Sequence, residues 1–387
     1  MKINYISALL LALAATPALN AAEPQNGSGE TDGYRLVWQD LFDDGELRVD
    51  RWEIEVNGNG GGNNELQYYT DRESNVRVGD DGRGNGCLII TARRENYNNR
   101  NFTSGRIISR NLVTFKHGKI EAAIRFPTTA NGLWPAFWMM GNDHSEVGWP
   151  KSGEIDIVEM GNSNGIANGT QDRYFNGAAH WGQGWPAASY AKDNTKAYSL
   201  QDGEFHLFTL IWDEDNLSMY VDLDKRPVQT PYFRMGITAD NPGDEWSPGN
   251  YFHKENFILF NMAVGGNFTG IHDANGITAL SDANGQKAEM HVNYVKIYQK
   301  GTPDESLYTI APGDLAGVDT PVADEPSLSV AGGYAQAPDS TITVFNTCGA
   351  AVACGHDRVP LDGLDAGVYI ISASMPDHTE TLKTIIR

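Results

Sequence analysis

The stretch S-G-E-I-D-I-V-E-M, residues 152–160, places Glu154, Asp156 and Glu159 among β-branched residues. Such residues disfavour a helix, and the alternation favours a strand in which Glu154 and Asp156 point the same way. In a regular strand Glu159 would point to the opposite face and lie in the core, which is costly for a lone carboxylate. We therefore predict a β-bulge near residues 157–158 that returns Glu159 to the face of the other acids.

With this bulge, Glu154 and Glu159 act like positions i and i+4 of a strand. Their Cα atoms would lie about 13 Å apart, at roughly 3.3 Å per residue. Side chains leaning inward on a concave sheet would bring the carboxyls within about 5–6 Å, which favours a retaining over an inverting glycosidase. Asp156 between them would help to keep one glutamate ionised and the other protonated. The alternatives are three solvated acids on an exposed strand, or part of a cation site.

Outside this stretch, helix patterns are scarce and short runs rich in Val, Ile, Tyr, Phe and Trp recur between turn residues. Several runs alternate apolar and polar residues, which is the period of a half-buried strand. Residues 34–300 are long for an immunoglobulin-type sandwich, so we predict an all-β sandwich of two large, curved antiparallel sheets. Examples of these runs are residues 87–92, 119–126, 205–212, 217–222 and 292–298.

The two ends of the chain differ in character from this central region. Residues 1–22 predict a cleaved secretory signal, because Lys2 precedes an apolar run too short to span a bilayer. A buried N-terminal helix is the alternative. Residues 301–327 are rich in Pro, Asp, Gly and Ser and predict a linker, and residues 328–387 predict a small β domain. We expect a protein that is secreted or at the cell surface, in the periplasm or outside the cell, without membrane insertion.

The 387-residue chain carries 50 acidic and 29 basic residues, a formal net charge of -21. Such a surface repels phosphate backbones and polyanions, which argues against nucleic acid as a ligand, whereas a neutral glycan is compatible with it.

The three cysteines are too few for a disulfide scaffold. Cys348 and Cys354 are close enough in sequence to pair in an oxidising compartment, and Cys87 is expected in the core.

Aromatic and amide side chains accompany the acids. The run N-G-L-W-P-A-F-W-M-M, residues 131–140, places Trp134 and Trp138 on one strand face and Phe137 on the other. Two indoles on one face suit stacking against sugar rings, although core packing is the commoner role of tryptophan. The Gly/Asn-rich segment 57–70 offers amides for sugar hydroxyls, or is a flexible surface loop. The chain has no Cys/His metal spacing, G-x-S-x-G elbow or phosphate-binding glycine loop.

Together these motifs resemble glycoside hydrolase family 16, whose signature E-[I/L]-D-[I/V]-x-E is matched by residues 154–159. The resemblance covers residues 34–300 and implies a β-jelly-roll with a long cleft that cleaves a β-linked polysaccharide internally with retention. Further matching segments are N-N-E-L-Q-Y-Y-T (63–70), S-G-R-I-I-S (104–109), G-K-I-E-A-A-I-R-F-P (118–127), L-W-P-A-F-W-M (133–139), N-M-A-V-G-G-N-F (261–268) and V-N-Y-V-K-I-Y (292–298).

The resemblance also implies roles for single residues. By motif position Glu154 resembles the nucleophile, Glu159 the acid/base and Asp156 the assisting acid. No cofactor is expected to be required. Family members often hold a structural Ca²⁺ with an Asp before the Tyr of the last strand, and Asn293 at that position argues against this calcium site. The positions that often contact sugar are Asn64, Glu65, Arg106, Trp134, Trp138 and His180.

We therefore predict a secreted, monomeric, endo-acting retaining β-glycoside hydrolase that cleaves β-1,3-glucan (laminarin) or mixed-linkage glucan. One alternative is an endo-β-galactosidase acting on poly-N-acetyllactosamine or mucin-type O-glycans, which the unusually long segment 161–185 motivates. Another is a non-catalytic lectin-like glycan-binding protein, against which the three intact acids argue. At the C-terminus, L-D-A-G-V-Y-I-I-S (364–372) and K-T-I-I-R (383–387) resemble the sorting domain of the type IX secretion pathway. This resemblance implies a secreted or surface protein of a bacterium.

Overall fold

The structure, a computed structural model, describes residues 32–238, 243–311, 328–331, 334–346, 350–361, 363–364, 366–374 and 379–386. The predicted signal peptide, most of the predicted linker and Cys348 with its proposed pairing lie outside these residues. The described residues form two compact units, one ending at Ala311 and one following it. Neither contains a described helix of the length and apolar character that a membrane span requires.

The first unit is built almost entirely from strands, as the recurrent β-branched and aromatic runs predict. Its described strands are β1 (Arg35–Asp40), β2 (Glu53–Ile54), β3 (Gln67–Tyr69), β4 (Val76–Asp80), β5 (Gly86–Tyr97), β6 (Arg100–Ser104), β7 (Arg106–Ile108), β8 (Val113–Lys116), β9 (Gly118–Arg125), β10 (Leu133–Gly141), β11 (Glu154–Met160), β12 (Tyr174–Trp181), β13 (Ala188–Thr195), β14 (His206–Trp212), β15 (Asn216–Val221), β16 (Phe233–Gly236), β17 (Asn256–Val264), β18 (Lys287–Gln299) and β19 (Ser306–Thr309). Its described helices are α1 (His144–Val147), α2 (Ser163–Asn168) and the 3₁₀ turns Pro248–Asn250, Ala274–Gly276 and Asp282–Asn284.

These strands form two sheets. The first runs in the order β16-β15-β14-β9-β18-β5-β6-β3, with β1 on β18 and β4 on β5. The second runs β13-β12-β11-β10-β17-β7-β2, with β8 on β17 and β19 on β8. The described pairs are antiparallel except β3 with β6. The predicted all-β sandwich of two antiparallel sheets is confirmed.

A continuous apolar core lies between the two sheets. Phe137 on β10 stacks on Phe260 of β17 at 4.7 Å between ring centroids, and Trp52 meets Phe260 edge-on at 5.9 Å. Each such side chain contributes roughly 1.5–3 kcal/mol when it is fully buried. Because β10 and β17 are anchored through these rings, their opposite faces are held rigidly and can carry a binding site. Cys87 is fully buried in the first sheet, as predicted.

Residues 301–311, which fall in the predicted linker, belong to the first unit in the structure. Strand β19 pairs with β8, and Leu307 packs against the main core. The preceding turn is held by Glu305, whose carboxylate accepts hydrogen bonds from the backbone N–H groups of Lys300, Gly301 and Thr302 at 2.7–3.0 Å. The composition of this segment is turn-like, but its side chains complete an ordered edge of the second sheet.

The second unit is a five-stranded antiparallel sheet with a small core of its own. The core includes Leu328, Ile342, Val344 and Ile371. Its order is β20-β21-β23-β24, with β22 on β21. The strands are β20 (Ser329–Ala331), β21 (Tyr334–Phe345), β22 (Ala351–Pro360), β23 (Gly367–Ser374) and β24 (Thr379–Ile386).

Candidate active site

Strand β11 carries one residue more than its neighbour β12 between Asp156 and Glu159. These two acids pair with Ala178 and Asn176, which are only two positions apart on β12, and the pairing with β10 shifts at the same point. The extra residue lies within Ile157–Val158, and both of these side chains are fully buried in the core. The predicted β-bulge is therefore present, and it places Glu159 on the same face as the other two acids.

The three acids share one wall of an open cleft with a volume of about 1170 Å³. The cleft crosses the second sheet from Glu55, next to β2, to Asp193 on β13. Trp134, Ala136 and Trp138 line it, whereas Phe137 and Met139 lie in the core, so the predicted faces of β10 are confirmed. Arg106, Glu65 and His180 also line the cleft.

Glu154, Asp156 and His180 form a compact cluster. One oxygen or nitrogen atom from each lies within 4.8 Å of the other two, an arrangement that could hold a metal ion. Nε2 of His180 lies 3.4 Å from Oδ2 of Asp156, and this buried oxygen accepts no hydrogen bond from the described residues. The Trp149 side chain also interacts with the Glu154 carboxyl. Of the groups around Glu154, His180 and Trp149 favour its ionised form.

Desolvation raises the pKa of all three acids, and the charge of Asp156 adds to this for both glutamates. The pKa of Glu154 is raised to about 8, first by desolvation and then by the charge of Asp156. Burial raises the pKa of Asp156 to about 8, and desolvation followed by the charge of Asp156 raises the pKa of Glu159 well above its usual value. The three carboxyls therefore cannot all be ionised at neutral pH, and the cluster retains a proton.

Glu159 is oriented from β10. Nε1 of Trp134 donates a hydrogen bond to Oε1 of Glu159 at 3.0 Å. One face of the Trp134 ring is covered by Phe268, with 4.7 Å between centroids and an interplanar angle of 13°. Trp134 therefore reaches the cleft mainly through its edge and holds the carboxyl of Glu159 in place.

Trp138 is held on both its edge and its face. Its Nε1 donates to Oδ1 of Asn261 at 2.7 Å, and the Asn261 amide donates to the Tyr69 hydroxyl at 3.0 Å. The Arg106 guanidinium lies over the indole, 4.8 Å from its centroid, and Nε of Arg106 is 2.7 Å from Oε2 of Glu55. This network fixes the ring where a bound sugar could contact it.

Of the neighbouring residues Asn64 and Glu65, both predicted to contact sugar, only Glu65 lines the cleft. Glu65 is buried on the cleft wall, where Oε2 accepts hydrogen bonds from Gln67 at 2.5 Å and from the Tyr69 hydroxyl at 3.3 Å. Asn64 does not line the cleft. Its backbone is left-handed, with φ of 58°, and its exposed amide bonds Asn267, which does line the cleft.

Sequence reasoning missed several residues of the cleft wall. Trp149 and Trp185 line the cleft from loops, and Asn176 is the strand partner of Glu159. The sequence could have indicated Trp185 and Asn176, because both lie in the unusually long segment 161–185 that follows the acids. The residues missed by the sequence analysis include Glu55, Asn63, His144, Trp149, Asn162, Asn176, Trp185, Asp193, Asn261 and Asn267.

At the position where members of the family often hold a structural calcium, the Asn293 amide nitrogen faces two oxygen atoms. Nδ2 of Asn293 donates to the Gly86 carbonyl at 3.0 Å and lies 3.5 Å from Oδ2 of Asp81. The Asp81 carboxylate also accepts from the backbone N–H groups of Arg83 and Asn85 at 2.7 and 3.1 Å. The Asn293 amide also carries an oxygen, and amide, carbonyl and carboxylate oxygens all ligate calcium, so the expected loss of this calcium site stays a prediction.

Comparison with known proteins places this geometry in a family. Residues 63–233 match the sequence profile of the glycosyl hydrolases family 16. The clotting factor G alpha subunit of Tachypleus tridentatus is 33% identical over 268 residues, which cover 69% of this chain and 34% of that protein. The chain therefore spans about a third of that relative's length.

Two further relatives are covered over most of their length. The glucan endo-1,3-beta-glucosidase of Cryptopygus antarcticus is 36% identical over 242 residues, covering 61% of this chain and 82% of that protein. The GH16 protein of the Bacteroides ovatus mixed linkage glucan PUL, solved with a G4G4G3G product, is 39% identical with a TM-score of 0.58. The match covers 67% of this chain and 99% of that structure. The predicted jelly-roll and the bulged acid strand agree with these similarities, and the chain belongs to the glycosyl hydrolases family 16.

Proposed function

We propose that this protein is an endo-acting glycoside hydrolase that cleaves β-1,3-glucan or mixed-linkage glucan with retention of configuration. The observation that carries the proposal is the bulge in β11, which brings Glu154, Asp156 and Glu159 to one wall of the cleft. The relatives described above support a glucan substrate, since one is named a glucan endo-1,3-beta-glucosidase and another belongs to a mixed linkage glucan PUL.

The reaction proceeds in two steps at the anomeric carbon. In the first, Glu159 gives its proton to the glycosidic oxygen while the Glu154 carboxylate attacks the anomeric carbon, so that the leaving chain departs as an alcohol. In the second, the Glu159 carboxylate takes a proton from water, and the water oxygen attacks the anomeric carbon and releases Glu154. Two inversions give net retention.

The same kinds of group surround the two glutamates. Desolvation and the charge of Asp156 raise the pKa of each, whereas His180 and one tryptophan, Trp149 for Glu154 and Trp134 for Glu159, lower it. The net shift is upward for both glutamates, so the pair can keep the proton that a general acid requires. The assignment of Glu154 as nucleophile and Glu159 as acid/base follows their positions in the family's motif.

The course of the cleft supports internal cleavage. Its lining reaches from Glu55 at one edge of the second sheet to Asp193 at the other. A polysaccharide can therefore lie across the whole sheet with units on both sides of the acids, and no chain end is needed for binding.

Asp156→Asn is expected to shift the pH profile of kcat/KM to lower pH on both limbs. The acidic limb follows ionisation of Glu154 and the alkaline limb follows deprotonation of Glu159, and the charge of Asp156 raises both pKa values. Removing that charge lowers both. Kinetics against a chromogenic β-glucan between pH 4 and about 10 measure the shift. Asp193→Asn, an exposed acid on the same cleft wall, is the control and should leave the profile in place; an unchanged profile in Asp156→Asn contradicts the assigned electrostatics.

The substrate is tested by side-by-side digestion of laminarin, mixed-linkage glucan and mucin glycans, with the products sized over time. We expect intermediate oligosaccharides to appear early from one or both glucans. Products from mucin glycans alone would favour the endo-β-galactosidase. Release of no reducing ends from any polymer, with binding retained, would instead favour the lectin-like protein.

We further propose that the protein acts outside the cytoplasm as a monomer and that its second unit is a secretion sorting domain of the type IX kind. A polymeric substrate does not enter a cell intact, and residues 328–386 form a separate β unit with its own core. Expression in a host with that pathway, with and without residues 312–387, tests the idea by cell fractionation. Equal export of both forms would contradict it.

A further inference from the structure

Trp185 has an exposure that its role in folding does not explain. Its side chain is 83% exposed, and it lies outside the main hydrophobic core. It lies between β12 and β13, next to Gly184, around which space is open. An indole left in water at the wall of a cleft is a common mark of a ligand contact.

The ring is the outer member of a row that starts at the proposed nucleophile. Trp149, whose side chain interacts with Glu154, is 39% exposed and lies 6.0 Å from Trp185 between ring centroids, with 32° between the planes. The Trp149 ring also lies 6.4 Å from that of His180. Trp185 is thus farther from the reacting carbon than Trp149 is, at the mouth of the same cleft.

The chemistry of this wall selects a neutral sugar. A β-linked glucosyl ring presents axial C–H groups on its faces, and indole rings pack against such apolar faces. The cleft lining contains several carboxylates but Arg106 as its only Lys or Arg within the described residues. Sulfated or uronic-acid units would be repelled by that balance of charge.

We propose that Trp185, with Trp149 behind it, forms a distal subsite that stacks on a neutral β-glucosyl unit beyond the unit attacked by Glu154. This inference rests on the proposed glucan hydrolase function and makes Trp185 a determinant of chain-length preference. Because the contact is made in both the ground state and the transition state, it affects KM more than kcat.

The test is a comparison of Trp185→Ala with wild-type protein on β-1,3/1,4-gluco-oligosaccharides of increasing length, from trisaccharide to nonasaccharide. We expect KM to rise about five- to twentyfold for the long chains and much less for the shortest chain cleaved, with kcat nearly constant. Trp185→Tyr should restore most of the loss. Isothermal titration of the long chains into a Glu154→Gln background, with and without Trp185→Ala, should show the same ratio in Kd.

Tyr308→Ala supplies the matched control, since Tyr308 is a 44% exposed aromatic on β19 outside the cleft. It should leave KM unchanged at every length. If Trp185→Ala changes KM equally at all chain lengths, or leaves KM unchanged at all of them, the proposed subsite is contradicted. Either result leaves the proposed hydrolase function standing. If the wild-type protein cleaves no gluco-oligosaccharide of any length, the proposed function fails and the subsite fails with it.

Discussion

Glu154→Gln is expected to lower kcat for β-glucan hydrolysis by about four orders of magnitude or more, because an amide cannot form the glycosyl ester. Glu159→Gln should lower it by about 10²–10⁴-fold, since it removes general acid catalysis to a poor leaving group. Both variants should fold normally, because each carboxyl lies on the cleft wall and glutamine keeps its shape. Initial rates and melting temperatures measure both effects. Glu204→Gln, an exposed acid paired with Arg83, is the control and should retain full activity.

The two roles can be distinguished by adding azide to alanine variants. In Glu154→Ala, azide takes the place of the nucleophile and should yield an α-glycosyl azide by a single inversion. In Glu159→Ala with an activated substrate, azide attacks the glycosyl ester and should yield the β-glycosyl azide. Proton NMR of the anomeric signal distinguishes them, and the opposite pair of products would reverse our assignment of nucleophile and acid/base.

The second large effect is on stability and lies away from the cleft. Asp222→Ala is expected to lower the free energy of unfolding by about 3–5 kcal/mol, as breaking one side of a buried ion pair does. Asp222 is fully buried, and its carboxylate accepts hydrogen bonds from Nδ1 of His206 at 3.0 Å, the Tyr198 hydroxyl at 3.1 Å and Arg226 at 3.0 Å. Its backbone is left-handed with φ of 56°, which alanine tolerates poorly. Thermal melts should show a decrease of about 10 °C.

The pH dependence of this pair follows from both partners. The pKa of Asp222 is lowered to about 2, chiefly by His206 against the cost of desolvation, so its stabilisation is present above about pH 4 and lost as pH falls toward 2. Asp222 and Asp202 raise the pKa of His206 despite its burial, so that its stabilisation is full below about 6.5 and lost as pH rises through the raised pKa.

Comparing melting temperatures of the wild type and Asp222→Asn across pH should therefore show the largest difference between about pH 4 and 6.5. Asn keeps one oxygen acceptor and tolerates the left-handed backbone, so the difference isolates the charge. Asp224→Ala, an exposed acid two positions away, should change stability by less than about 0.5 kcal/mol. A difference that does not depend on pH would show that packing rather than charge sets the effect.

Local rules were sufficient to predict the faces of the catalytic strand. A side-chain period of two, with the cost of burying a lone carboxylate, requires a bulge between Asp156 and Glu159, and the register shows one. The same period assigns Trp134 and Trp138 to the cleft and Phe137 to the core. Contacts made through distant segments could not be predicted in this way. Trp138 bonds Asn261, 123 positions away, and only the pairing of β10 with β17 brings them together.

Backbone conformation and loop closure account for the remaining differences. Asn63 and Asn64 are the same residue type in the sequence, yet Asn63 lines the cleft and Asn64, with a left-handed φ, does not. Trp149 and Trp185 meet because the two loops that carry them converge. The side-chain period of a strand cannot predict such a contact between loops. The turn-like composition of residues 301–311 predicts a linker, whereas pairing of β19 with β8 makes them part of the sheet.

The central claim is that Glu154 forms a covalent glycosyl ester. A 2-deoxy-2-fluoro β-glucoside with a good leaving group forms this ester but hydrolyses it slowly, because the fluorine destabilises the oxocarbenium-like transition state of the second step. Mass spectrometry of the intact protein and of its peptides should show one added glycosyl group, located on Glu154. Location of the label on Glu159 or Asp156, or unlabelled protein that releases the inverted anomer, would contradict the account.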